Sequence, residues 1–592
     1  MLFDTVCYHM HVQFFARARR RLQWRAPVIA LLLFAGAHSV GSSADRVEVP
    51  HVTVLLVGNF RDVRPGKDTA WIGAAVVEEL RDRLHTVPGL VSFSRVWIGE
   101  TLREPPMAGV DLTATGDIAR LARRLGSRRI VAGTWAVRGT TVRFAAQVLD
   151  PDTLAEVGSA AVSVSLYRPA DIACRLAEEL APLCAGSDLP RSVIARMSRP
   201  ATESREAYEA FGRACAASDA KERLKRCGEA LRRDPRFTSA LLLRARTLHE
   251  MERPEQAEAA YRDVFAVEQT CEAARVEMAH LFAGCGQVDV ACAQLDLALG
   301  MKSEDTWARV LRAQYLEQQG RLDLAEADLD AAVALGYSVA EIHTLRGIIH
   351  TRRGEYPQAL EELNLAVAGA AQNLRLHVAR ATALLGAGEY AAALEEADRA
   401  VALAPDQVAS LATRARVLSA MKEPERAIAD LDRAIALAPR DPELIRLRAT
   451  EHERAGNISA AIRDCSLALK IEPASIALRR LRARLYWLDS QFDRAVEDLD
   501  QVIAAGEDAA AYHARGSAYL RKGDLERAFR DLDRAIALDG ANAEFYATRA
   551  RAWLAKGNYA RAWDDVARCQ ALGGTVEPRF LRDLRQASGR DR

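Results

Sequence analysis

One short loop carries residues that suggest phosphate chemistry. The stretch from Arg64 to Thr69, RPGKDT, places a lysine directly after a glycine, as phosphate-binding loops do. Such a loop needs another glycine five residues before Gly66, where this chain has Arg61, and a Ser or Thr in place of Asp68 to bind magnesium. No HExxH, GxSxG or GxGxxG stands in a suitable context. The sequence therefore predicts a polar surface loop here, and no enzyme activity.

Histidines are the next candidates, because neutral imidazole is a common metal ligand. The chain has 12 histidines, and His343 and His377 occupy equivalent places 34 residues apart. Two interpretations are open: a stacked pair that binds a metal, or large residues that pack inside helices. Packing is favoured, since His350 lies seven residues after His343 on the same helical face. We predict no metal and no cofactor.

The ten cysteines contain no CxxC pair, which argues against a zinc site. Seven of them lie between Cys174 and Cys292. In an exported protein, Cys215 could pair with Cys227, and Cys285 with Cys292. The other interpretation, which is favoured, is that they are small buried apolar residues.

The elements that would position these side chains recur every 34 residues. A small residue marks each of ten units, at Ala245, Ala279, Ala313, Gly347, Ala381, Ala415, Ala449, Ala483, Gly516 and Ala550. The one step of 33 residues falls between Ala483 and Gly516. Within a unit, Leu411, Ala415 and Leu418 fall at i, i+4 and i+7, which predicts the apolar face of a helix. A second small residue and an intervening glycine indicate a second helix, so the pattern predicts stacked helix pairs.

This pattern resembles the tetratricopeptide repeat (TPR) family, over about residues 238 to 576, with a degenerate eleventh unit over 205 to 237. The resemblance implies a right-handed superhelix whose first helices line an inner groove that holds proteins or peptides. By that resemblance, the groove residues are Arg246, His280, Gln314, Arg416, Glu453, Arg484 and Trp487. Trp487 is open to two interpretations, an interface anchor or a half-packed residue between repeats.

Two charges follow the same period. An arginine precedes the small residue in nine of the ten units, and an acid lies 16 residues after it in eight, as in Arg414 and Asp430. One interpretation is a charged track for a ligand. The other, which the helix register and the charge balance favour, is a set of ion pairs that joins the two helices of each unit. We therefore expect Arg414→Ala to lower thermal stability and to leave ligand binding unchanged.

Residues 46–188 have a different pattern, in which strands alternate with helices. Strand runs at 47–57 and 90–96, helices at 71–87 and 117–126, and a hairpin around Gly139 predict a small α/β domain with a mixed sheet. The strand at 52–60, the helix beginning at Trp71 and the segment 121–150 resemble the amino-terminal domain of TolB and the related domain beside bacterial TPR arrays. That resemblance implies an extracytoplasmic interaction module without chemistry.

The first 44 residues have the pattern of a secretory signal. Arginines between positions 17 and 25 precede an apolar run at 26–37, and small residues follow up to a predicted cleavage after Ala44. The apolar run is about 12 residues long, against the roughly 20 that span a bilayer. We expect export to the periplasm or the extracellular space, with an uncleaved segment as the one route to membrane attachment. Lys plus Arg total 81 and Asp plus Glu 80, which argues against nucleic-acid binding.

The sequence thus predicts an α+β multidomain protein: a signal-like segment at 1–44, an α/β domain at 46–188, a linker at 189–204, an all-α TPR solenoid at 205–576 and a C-terminal tail at 577–592. The predicted function is a non-catalytic extracytoplasmic scaffold for protein partners. The alternative is a ligand-sensing regulator or accessory subunit of a cell-envelope enzyme or signalling complex. The identity of the partners and the oligomeric state are open.

Overall fold

The computed structural model describes residues 52–64, 69–103, 107, 109–370 and 373–589. The predicted signal segment, and residues 65–68 of the loop that was weighed as a phosphate site, lie outside the described residues. The chain from His51 to Arg592 forms one compact unit. Among the described residues, no helix is both long enough and apolar enough to cross a bilayer.

The first part is a mixed sheet with helices against it. Its strands are β1 Thr53–Val57, β2 Arg61–Asp62, β3 Leu90–Ser92, β4 Arg129–Arg138, β5 Thr141–Leu149 and β6 Glu156–Ser165, and its helices are α1 Ala70–His85, α2 Arg95–Arg103, α3 Thr115–Arg124 and α4 Asp171–Ala185. The strand order is β3-β1-β4-β5-β6, and β2 pairs with β4. Strand β1 is parallel to both β3 and β4, whereas β4, β5 and β6 are antiparallel.

The second part is a stack of helix pairs that follows helix α5, Arg191–Met197. Eleven units, each of two helices, are α6 Arg205–Ala216 with α7 Ala220–Arg233, α8 Thr238–Glu250 with α9 Pro254–Val267, α10 Glu272–Gly284 with α11 Val288–Met301, α12 Thr306–Gln318 with α13 Leu322–Ala334, α14 Ala340–Arg353 with α15 Tyr356–Ala370, α16 Leu374–Ala387 with α17 Tyr390–Leu403, α18 Val408–Ala420 with α19 Pro424–Leu437, α20 Pro442–Arg454 with α21 Ile458–Ile471, α22 Ile476–Leu488 with α23 Phe492–Ala505, α24 Ala509–Lys522 with α25 Leu525–Leu538, and α26 Ala543–Ala555 with α27 Tyr559–Ala571. A last helix, α28 Pro578–Ser588, packs Phe580 and Leu584 on unit 11. The predicted α+β multidomain fold is confirmed.

The turn within each unit requires a left-handed residue at one place. Gly388 ends α16 with φ of 81°, and its N–H bonds back to the carbonyl of Leu385, which satisfies the end of the helix. Units without this glycine have Glu252, Lys422 or Ser490 at the same place, with φ between 56° and 63°. The stacked geometry therefore imposes this conformation even where a side chain makes it costly, by about 1–2 kcal/mol per residue.

Three segments that were predicted as irregular or extended contain helices. The predicted strand at 90–96 ends at Ser92, and helix α2 begins at Arg95. Trp97 of α2 is buried against the first units of the solenoid, which a strand in this place would not allow. Residues 189–204, expected as a linker, contain α5, and residues 577–592, expected as a tail, contain α28.

Candidate protein-binding surface

A row of side chains joins one first helix to the next, on the face that the family resemblance predicts to line the inner groove. Arg246 reaches Glu277, His280 reaches Tyr315, and Arg352 reaches Glu317, each 31 to 35 residues along the chain. The same spacing joins Ser419 to Glu451, Arg484 to Glu453, and His513 to Thr548. The predicted groove residues Arg246, His280, Glu453 and Arg484 therefore lie in this row, which we call the inner row.

In the first units, the inner row is occupied by the α/β domain of the same chain. Arg246 is the largest fully buried side chain, with a relative exposure of 1 %. Its guanidinium donates to Glu78 and to Asp82 of α1, both at 2.9 Å, and its Nε donates to Glu277 at 3.0 Å. Burial opposes the charge, but the three carboxylates overcome it and raise the pKa of Arg246 well above its ordinary value.

Helix α2 docks beside this cluster. His280 Nε2 lies 2.7 Å from Oε1 of Glu100, and its ring lies 4.6 Å from the ring of Trp97. The ring centroid of Trp307, on α12, lies 5.5 Å from those of both Trp97 and Phe93. The contacts of the α/β domain run from Tyr208 in unit 1, which donates to Glu79, to the loop before unit 5, where Tyr337 donates to the carbonyl of Leu125.

A third buried cluster has the residue types of a metal site. One ligand atom each from His85, Glu272 and Asp305 lie within 4.8 Å of one another. The N–H of Ser92 donates to Nδ1 of His85, so the ring proton is on Nε2, which faces Glu272 at 2.6 Å. A histidine that binds a metal through Nε2 must carry its proton on Nδ1. The cluster therefore fits a hydrogen-bonded network and not a metal centre.

Burial sets the charge state of that network. It lowers the pKa of His85 to about 4, with the Lys302 ammonium adding to the effect. Burial and the neighbouring Glu272 carboxylate together raise the pKa of Asp305 to about 6. Lys302 donates to the carbonyls of His85 and Leu90 and so joins the solenoid to the sheet.

Gln314, the predicted groove residue of unit 4, is half-buried on α12. The other predicted groove residues lie further along the solenoid, in units 7 to 9. Arg416 is exposed on α18, and Arg484 donates to Glu453 while its side chain stays 60 % exposed. Trp487 is 37 % exposed and meets the ring of Phe492 edge-on at 6.5 Å. The structure thus divides the predicted groove into an occupied part, with Arg246 and His280, and a part with exposed side chains.

The periodic charges form ion pairs, as the structural interpretation expects. Arg414 binds both oxygens of Asp430 at 2.7 Å, which joins the two helices of its unit. Its third nitrogen binds Asp398 of the preceding unit at 3.0 Å, a contact that the sequence reasoning missed. The sequence does contain a signal for this contact between units, a second acid two residues after the first, as in Asp430 and Asp432. Asp432 pairs with Arg448 of the next unit, as Asp398 pairs with Arg414.

The histidines at equivalent places in units 5 and 6 each join the two helices of their own unit. His343 bonds to Glu362 at 2.7 Å and His377 to Glu396 at 2.6 Å, each on the second helix of its own unit. Since each ring turns to its own carboxylate, the two do not form a joint metal site. The nine described cysteines are free thiols, so neither of the alternative disulfides is formed.

An open cleft of about 800 Å³ is lined by residues of both the α/β domain and units 1 and 2. It lies at the carboxyl ends of β1 and β3, where ligands of α/β sheets commonly bind. Its wall includes Asn59, Arg81 and Arg95 from the domain, and His249 and Glu250 from the end of α8. Its wall also includes apolar side chains, among them Phe60, Ile98 and Trp135.

Comparison with known proteins supports the repeat assignment. Residues 480–543 and 513–569 match the model of the tetratricopeptide repeat, and residues 308–487 match the model of the ETO1 C-terminal domain. No curated protein matches the chain.

Solved structures of several repeat proteins are similar to parts of the solenoid. A tetratricopeptide repeat protein from Parabacteroides merdae is 19% identical over 48% of this chain and 99% of its own, with a TM-score of 0.29. PilF of Pseudomonas aeruginosa is 20% identical over 34% of this chain and 92% of its own, with a TM-score of 0.30. A thermophilic TPR protein from Thermus thermophilus is 21% identical over 31% of this chain and 99% of its own, with a TM-score of 0.29.

The family match, the 34-residue period and the observed helix pairs agree with one another. The helical part of this chain is a TPR-like solenoid of helix pairs, and its residues 480–569 match the tetratricopeptide repeat model.

Proposed function

We propose that this protein is a non-catalytic scaffold that binds protein partners on the inner surface of units 6–11. The observation that carries this function is the use of the inner row by the chain itself. Units 2–4 hold the α/β domain through Arg246, His280 and Trp307, whereas Arg416, Arg484 and Trp487 are exposed in later units. An exposed tryptophan flanked by arginines has the composition of an interface hot spot.

The location that we propose is extracytoplasmic. The signal-like pattern of the first 44 residues supports it, as does the resemblance of residues 46–188 to the TolB amino-terminal domain. Cell fractionation with sequencing of the mature N-terminus tests it. We expect a chain that begins after Ala44 outside the cytoplasm, and the untrimmed chain in the soluble cytoplasm would contradict the proposed location.

Site-specific photo-crosslinking in intact cells tests the binding surface. A photoreactive amino acid at Trp487 should capture defined proteins, which are then purified and tested for direct binding to the full chain. Arg463, which is exposed on the second helix α21, is the matched control position. Equal capture of the same proteins at both positions would refute a partner surface on the inner row.

A second candidate function, a ligand-sensing regulator, is favoured by the cleft between the α/β domain and units 1 and 2. Since both parts form its wall, a ligand there would change how firmly the domain is held. A thermal-shift screen of small polar metabolites on the full chain tests this function. A hit whose effect is lost in Arg95→Gln and retained in Arg463→Gln would support it, and a screen without such a hit would argue against it.

A further inference from the structure

The chain shows how its own inner row binds a docked segment. Arg246 is the residue directly after the small residue Ala245 that marks unit 2. Helix α1 docks on it with two carboxylates, those of Glu78 and Asp82, at 2.9 Å. His280 occupies the same place in unit 3, and helix α2 docks on it with the carboxylate of Glu100 and the aromatic ring of Trp97. The docked helices therefore present carboxylates and one aromatic ring to the inner row, although they also carry arginines elsewhere.

The units with exposed inner surfaces repeat this arginine. Arg416, Arg484 and Arg551 each follow the small residue of their unit, as Arg246 does. Arg416 is exposed, and the side chains of Arg484 and Arg551 are 60% and 49% exposed. Arg246 is surrounded by three carboxylates, whereas Arg484 and Arg551 each make one ion pair within the solenoid, with Glu453 and Glu577. Both therefore keep N–H groups that can bind further carboxylates.

The first helices of units 9 and 10 carry cations and no acids of their own. Helix α22 contains four arginines and no acidic residue, and helix α24 contains Arg515, Arg521 and Lys522 and no acidic residue. Arg521 extends over the ring of Phe492, which in turn contacts Trp487, so the exposed cation and the exposed aromatic group are adjacent. Arg482 and Arg515 pair with Asp498 and Asp531 of the second helices, whereas Arg484 and Arg521 are exposed. The surface therefore offers an apolar contact beside exposed guanidinium groups.

From these contacts we infer that the inner surface of units 7–11 recognises an acidic segment of a partner protein. This inference rests on the proposed function. Carboxylates of the segment bind Arg416, Arg484 and Arg551, and an apolar side chain packs on Trp487. A protein segment is favoured over nucleic acid, because the 81 Lys and Arg of the chain are balanced by 80 Asp and Glu, without the basic excess that binding of a phosphate backbone requires.

Fluorescence anisotropy with the full chain tests the inference. The probes are a short labelled peptide rich in glutamate with one tryptophan, the same peptide with glutamine in place of glutamate, and a single-stranded DNA of similar charge. The glutamate peptide should bind most tightly, and more weakly as salt is raised from about 0.05 to about 0.3 M, because the screening length shortens. The variant with Arg416→Gln and Arg484→Gln should bind it more weakly by about tenfold, since hydrogen bonds to charged groups are lost.

The control is Arg463→Gln, which removes an exposed arginine from a second helix and should leave affinity within about twofold. Thermal melts of all variants should coincide with that of the native chain. Tighter or equal binding of the glutamine peptide or of the DNA would overturn the acidic preference, as would an equal loss in the control. If neutral peptides bind at Trp487 while acidic ones do not, the inference fails and the scaffold function stands. If no peptide binds and crosslinking captures no partner, both fail.

Discussion

Two aspartates of the second helix of unit 7 provide a sharp test of the ion-pair ladder. Asp430 and Asp432 lie two residues apart on α19, yet they meet different arginines in different surroundings. Asp430 has a side-chain exposure of 6% and accepts two bonds from Arg414, both at 2.7 Å. Asp432 has a side-chain exposure of 56% and accepts one bond from Arg448 at 2.7 Å. Replacement of each by alanine removes the same charge from the same helix.

The expected costs follow from burial. Loss of one partner from a buried pair costs about 3–5 kcal/mol, because the other charge is left without compensation. Arg414 keeps its bond to Asp398 and a side-chain exposure of 21%, so we expect the lower end, about 3 kcal/mol, for Asp430→Ala. An exposed pair contributes about 0–1 kcal/mol, so Asp432→Ala should cost no more than that.

Urea denaturation followed by circular dichroism measures the two free energies of unfolding. Hydrogen exchange in units 6–8 locates the effect, since repeat arrays are stabilised mainly by contacts between neighbours. A double-mutant cycle with Arg414→Ala isolates the coupling of the buried pair. Equal costs for the two aspartates, or a cost of less than about 1 kcal/mol for Asp430→Ala, would refute the assignment of the ladder to stability.

Three further predictions concern the junction and the thiols. Arg246→Ala should lower the free energy of unfolding by about 3–5 kcal/mol, because Glu78 and Glu277 lose their buried partner. Limited proteolysis should then cleave the variant between α4 and α6, and unchanged resistance to the protease would contradict the docking role of Arg246. The raised pKa of Asp305, about 6, gives stability that is present below about pH 4 and lost as the pH rises through 6, so Asp305→Asn should stabilise the chain at pH 7. The difference in melting temperature between this variant and the native chain should grow as the pH is raised from 4 to 7, and a difference that does not change with pH would contradict this. Among the described cysteines Cys285 is the exposed one, whereas burial raises the pKa of Cys184 and Cys227 to about 12. A thiol reagent should therefore label Cys285 fast, and Cys285→Ser should remove that rapid phase of labelling.

The repeat was predictable in detail because its determinants are local. The small residue at each helix crossing, the turn residue and the closing proline all act within one unit of 34 residues, so the period appears directly in the sequence. The pairing of Arg414 with Asp430 was predictable for the same reason. The contact with Asp398 was missed because it crosses to the preceding unit, whose distance depends on how the units stack.

The α/β domain was predictable as a mixed sheet, but helix α2 was not. The residues from Phe93 to Trp97 have the β-branched and aromatic composition of a strand, which is a weak local preference. Trp97 and Phe93 instead pack against Trp307, more than 200 residues away along the chain, and this contact decides the helical conformation.

The sequence by itself determined the two kinds of domain, their order and the residues of the inner row, since each depends on periodicity within a few turns of chain. Only the tertiary structure decided which of those residues are available. Arg246 and His280 have the same sequence signature as Arg416 and Arg484, and nothing local distinguishes them. The first pair is buried because the α/β domain supplies Glu78, Asp82 and Glu100 from distant positions, and compensation of buried charge is a property of the assembled molecule.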